Sequence, residues 1–82
     1  MESYRQLAQR DPDVYLWYVA ATLNNLGVLD RNQKRFEESR VHYQEALSLF
    51  RKLAQGDPSK YARDIARVET SLEALDVKAP SQ

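Results

Sequence analysis

Apolar positions along the chain recur every three or four residues. Phe36, Ser39, Tyr43, Ala46, Leu47, Phe50, Leu53 and Ala54 form one such stripe, with Ser39 as its small member. The spacing puts them on one face of a helix that ends at Gly56. Tyr61, Ile65, Val68, Leu72 and Leu75 form a second inward stripe, with Arg63, Arg67, Glu69 and Glu73 on the solvated side. Residues 14–21 behave differently, reading VYLWYVAA without a polar position. A helix that is apolar all round has to be covered all round.

The breakers mark the ends of these elements. Proline occurs only at 12, 58 and 80, and glycine only at 27 and 56. Asp11-Pro12 and Asp57-Pro58 each place a carboxylate that can cap a helix before a proline at the first helical position, where the missing N–H costs nothing. The polar run DRNQKR at 30–35 separates the helix that begins at Pro12 from the next one. Helices are therefore expected over about 12–31, 35–55 and 58–77.

The chain also repeats itself. YRQLAQRDPDVY from Tyr4 returns 46 residues later as FRKLAQGDPSKY from Phe50, and the register holds without a gap to Leu29 against Leu75. Matching in phase over this length indicates an array of helical hairpins. Residues 1–10 then correspond to the end of a preceding second helix, 11–56 to one complete long hairpin, 57–77 to a C-terminal capping helix and 78–82 to a disordered tail. Gly27 is costly inside a helix, by about 1 kcal/mol relative to Ala, and is expected where a second helix approaches closely, with Tyr43 and Ala46 as its neighbours. Its repeat counterpart is Glu73, which no tightly packed helix could cover. The 58–77 helix is therefore expected to end the array. Residues 1–10 supply only part of a second helix, so the 12–31 helix is expected to need a preceding repeat, another copy, or helix exchange to complete its cover.

Composition narrows the function classes. Twelve Lys and Arg balance twelve Asp and Glu, so no single-sign field favours nucleic acid. There is no cysteine, hence no disulfide framework or thiolate metal site. The longest apolar run is far short of the roughly 20 residues that cross a bilayer, and no signal-peptide pattern opens the chain. A cytoplasmic protein is expected.

Residues 20–49, AATLNNLGVLDRNQKRFEESRVHYQEALSL, closely resemble a tetratricopeptide repeat. Leu23, Leu26-Gly27, Phe36, Ser39, Tyr43 and Ala46 fall on that repeat's characteristic large, glycine, small, aromatic and alanine positions. The DPDVY…TLNNLG entry and the lengthened helices look most like the kinesin light chain type. Asp30 departs from the pattern where an aromatic is usual, Lys34 where glycine joins the helices, and Arg51 near the place where shorter repeats end in proline. The resemblance implies an all-α fold of about four antiparallel helices in a short right-handed solenoid segment, and a protein–protein interaction module that binds a peptide or domain in its concave groove.

The resemblance also places Asn24 and Asn25 on that groove. These amides, unexpected within an apolar helix, carry donor and acceptor together and can hold a peptide backbone. Val28 lies on the same track, Thr70 and Ser71 are the repeat equivalents of the asparagines, and Arg31, Asn32 and Arg67 could add donors for a carboxylate. Solvation of one helix face competes with this reading. Leu16, Trp17 and Tyr18 are candidates for self-association, which would make homo-oligomer assembly the alternative function. The non-catalytic end of a larger array is a third.

His42 has no Cys or second His beside it and is expected to lie on the surface. Asp30 and the basic residues Arg31, Lys34, Arg35 and Arg40 read as a solvated turn. No nucleophilic triad, phosphate loop or carboxylate pair appears, so no catalytic, cofactor or metal role is expected, and neither nucleic acid nor membrane is an expected partner.

Overall fold

The computed structural model describes residues 11–78. The expected helix end at 1–10 and residues 79–82 of the expected tail lie outside the described residues, while Lys78, expected to open that tail, is helical. Three helices occupy them, α1 (Pro12–Asn32), α2 (Phe36–Ala54) and α3 (Pro58–Lys78), and no strand is present among the described residues.

Both Asp-Pro sites start helices as expected. Asp11 has extended backbone angles and its Oδ1 accepts from the Val14 N–H at 3.3 Å. Asp57 Oδ1 accepts from the Lys60 N–H at 3.2 Å. Each carboxylate satisfies an N–H that has no partner within the helix and adds negative charge at its positive end. The α1 to α2 connection is a tight turn in which the Asp30 carbonyl accepts from the Arg35 N–H at 2.8 Å and the Arg31 carbonyl from the Lys34 N–H at 3.0 Å. Lys34 adopts φ 65, the left-handed conformation, at the place where the resemblance led one to expect glycine. Gly56, which was expected to close α2 as a glycine, has no positive φ. There the carbonyl of Leu53 accepts from Gly56 and Asp57, and α3 begins at once.

α2 lies between α1 and α3 and packs against both. Its stripe of Tyr43, Ala46, Leu47, Phe50 and Leu53 is buried together with Ala20 of α1 and Tyr61, Val68 and Leu75 of α3. Leu16, Leu23, Val28, Phe36, Ile65 and Leu72 pack against this cluster. Burying one such large side chain fully is worth about 1.5–3 kcal/mol relative to leaving it exposed, and this is what joins the three helices.

At Gly27 α1 and α2 pack closely. A Cβ built on it would lie 2.7 Å from Cδ1 and Cε1 of Tyr43, so only glycine leaves room for the ring. Beside it the Ser39 hydroxyl, fully buried, donates to the Gly27 carbonyl at 2.6 Å. The glycine, the small residue and the aromatic are thus parts of one contact.

The two copies of the repeated sequence are not buried alike. Ala20 is fully buried while its equivalent Ala66 is exposed; Leu29 is 51% exposed while Leu75 is fully buried. α2 covers the alanine face of α1 and the leucine face of α3. Val14, Trp17 and Tyr18, from the segment expected to need cover all round, remain exposed.

Candidate functional site

α1 and α3 both lie against α2 and leave a small cleft of about 110 Å³ between them. Trp17, Ala21, Asn24 and Asn25 come from α1, Asp64, Arg67 and Val68 from α3, and Phe50 of α2 contributes from between them. The spacing 17, 21, 24 puts the α1 residues on one face of its helix. The indole Nε1–H of Trp17 donates to Asp64 Oδ2 at 3.2 Å and bridges the two helices.

Three of the eight candidate partner-binding residues, Asn24, Asn25 and Arg67, therefore line one cleft. Asn25 and Arg67 are exposed and Asn24 is half-buried. The Oδ1 of Asn24 is buried with no hydrogen-bond partner among the described residues. An acceptor left in this state costs about 1–3 kcal/mol, which a donor entering the cleft would recover. The other five do not line it. Val28 packs against the core. Arg31 is half-buried near the end of α1, and Asn32 is its exposed last residue. Thr70 is exposed, and the Ser71 hydroxyl donates to the Arg67 carbonyl of its own helix at 3.0 Å.

Among the self-association candidates, Leu16 packs against the core of its own chain. Trp17 and Tyr18 are 36% and 43% exposed, and their rings meet edge to face with centroids 5.3 Å apart and planes at 78°.

Two expectations at the α1 to α2 turn are corrected. His42 is not a plain surface residue and Asp30 is not part of a solvated turn. Asp30 is 8% exposed, and its Oδ2 lies 2.6 Å from Nδ1 of His42. A carboxylate only accepts, so Nδ1 carries the proton of this bond. Asp30 stands where an aromatic was expected, and α2 brings the imidazole over it to satisfy the carboxylate. The two residues stand twelve positions apart on different helices, so helical spacing could not signal the pair. On the other side of α2, Arg51 donates to Glu69 Oε2 at 3.0 Å between exposed side chains; a pair of this kind contributes at most about 1 kcal/mol.

Among the described residues, no helix is long and apolar enough to cross a membrane. No curated protein and no solved structure matches the chain. Residues 19–58, which run from within α1 through all of α2 to the first residue of α3, match the family model of the tetratricopeptide repeat.

Proposed function

We propose that the chain is a non-catalytic binding module that holds a partner peptide along the α1–α3 face, with Asn24 and Asn25 as the groups that grip its backbone. Tetratricopeptide repeats generally mediate protein–protein interaction, which supports the class of function. The observation that carries the site is the buried, unpartnered Oδ1 of Asn24 in a cleft shared with Asn25 and Arg67. An amide at each of two adjacent positions offers both donor and acceptor to an extended backbone, and Arg67 adds a fixed positive charge. The remaining track, Val28, Arg31, Asn32, Thr70 and Ser71, would then flank the segment and not grip it. The kinesin light chain type of repeat and a right-handed solenoid continuing the array are parts of the same reading, as is a cytoplasmic setting.

Replacing Asn24 and Asn25 together with Ala tests it. The variant is expected to keep its helicity by circular dichroism and to lose partner proteins that the parent chain captures from a cell extract. Capture at the parent level by a folded double variant would refute the assignment.

A second reading is homo-oligomer assembly. It draws on the exposed Trp17 and Tyr18, and on Leu26 and Leu29, which are 38% and 51% exposed. Molar mass by light scattering across a dilution series separates the two. A monomer at every concentration rejects assembly, and a dimer that Trp17→Ala or Tyr18→Ala dissociates establishes it.

A further inference from the structure

A second, larger recess of about 360 Å³ opens between the first two turns of α1 and α3. Its apolar side is Val14, Trp17 and Tyr18, all exposed, with Tyr61 across from them. Among the described residues its polar side is Asp11, Asp13 and Asp64, with Lys60 as the one cation. Among the described residues none of these three carboxylates is ion-paired: Asp11 caps α1, and Asp64 accepts from the neutral Trp17 indole. The Lys60 ammonium instead sits over the Tyr61 ring, 5.6 Å from its centroid. One wall of the recess is thus already in contact with a cation.

Charge decides what else it can take. The N-termini of α1 and α3 each contribute about half a positive charge, and Lys60 contributes one. The three carboxylates exceed that total. An anion arriving at the α1 N-terminus would meet the Asp11 and Asp13 carboxylates already there, so an acidic ligand is disfavoured on both counts. A guanidinium fits better than an ammonium. It is planar and can stack on an exposed indole while its N–H groups donate in parallel to a carboxylate.

We propose that this recess is a subsite for an arginine side chain of the partner segment, stacked on Trp17 and paired with the Asp13 and Asp64 carboxylates. The proposal rests on the reading that a partner runs along this face, since Trp17 and Asp64 border both clefts.

The test titrates the full chain with acetyl-Gly-Arg-Gly-amide and with its citrulline counterpart, which keeps the shape and loses the charge. Nuclear magnetic resonance follows the Trp17 indole N–H. The arginine peptide is expected to shift that resonance saturably and to bind about tenfold tighter than the citrulline peptide, the difference expected of a desolvated cation–π contact with a charge-assisted hydrogen bond. Asp13→Asn is expected to weaken it about threefold or more and Lys60→Gln to strengthen it, both at unchanged helicity, because charge acts in opposite directions at the two positions. A mere loss of folding could not produce the second effect. Equal responses to the two peptides, or shifts at Asn25 and Arg67 without Trp17, would overturn the subsite. An arginine response that persists while the Asn24/Asn25 double variant still captures its partners removes the groove reading alone. Loss of capture by that variant with no arginine response removes the subsite alone.

Discussion

The ring of Tyr43 lies so close to the backbone of Gly27 that a methyl group there would stand 2.7 Å from two of its carbons. Two preferences compete at this position, since alanine is the better helix former by about 1 kcal/mol and overpacking a core costs about 1–3 kcal/mol. Tyr43 is fully buried, and its hydroxyl is also buried without a partner among the described residues, so the ring has little room to yield. Gly27→Ala is therefore expected to lower stability by about 1–2 kcal/mol in urea unfolding, the sign opposite to helix propensity. An unchanged or raised midpoint would show that the ring can move aside.

The Asp30–His42 pair should be coupled. Either single replacement, Asp30→Asn or His42→Ala, is expected to cost about 1–2 kcal/mol, because the group left behind loses a 2.6 Å charge-assisted bond in a partly buried place. A double-mutant cycle by chemical denaturation measures their interaction, expected at about 1 kcal/mol. Strict additivity would mean that the contact contributes nothing.

Lys34 offers a gain. Its φ of 65 costs a residue with a Cβ about 1–2 kcal/mol, a penalty glycine avoids. Glycine loses more freedom on folding, so the net effect expected of Lys34→Gly is a stabilisation of about 0.5–1 kcal/mol. In a domain of this size that corresponds to a rise of roughly 2–8 °C in the thermal midpoint. A fall would show that the lysine side chain stabilises the turn by more than the strain costs.

The repeat itself supplies an internal control. Leu29 and Leu75 occupy equivalent positions, yet one is half-exposed and the other fully buried. Leu75→Ala is expected to cost about 2–5 kcal/mol, and Leu29→Ala less than about 1 kcal/mol in the monomeric chain. Comparable losses would mean that the exposed face of α1 is covered in solution, which would favour the assembly reading.

Much of the architecture could be read before any coordinates. Asp-Pro pairs start helices wherever they stand, because a carboxylate and a missing N–H act within one turn. The Phe36 to Ala54 stripe marks a buried face because its period is that of the helix. Gly27 implied a close crossing with Tyr43 and Ala46 as its neighbours, and the Tyr43 ring does lie against it, with the Ser39 hydroxyl joining the contact. All of these are local or periodic signals that a linear chain can carry.

What could not be read are relations between helices. The Asp30–His42 pair, the Trp17–Asp64 bridge and the clustering of Asn24, Asn25 and Arg67 each join residues from different elements. Their distances depend on how two helices are rotated about their axes. The repeat shows the limit most plainly, since Ala20 and Ala66, or Leu29 and Leu75, carry the same residue type in the same register and differ in burial. Local and periodic signals suffice to establish that there are helices, where they begin and which residues are apolar. Which face each helix presents to α2 came from the packing, because burial is a property of the neighbour as much as of the residue, and α2 meets different faces of the two helices it joins.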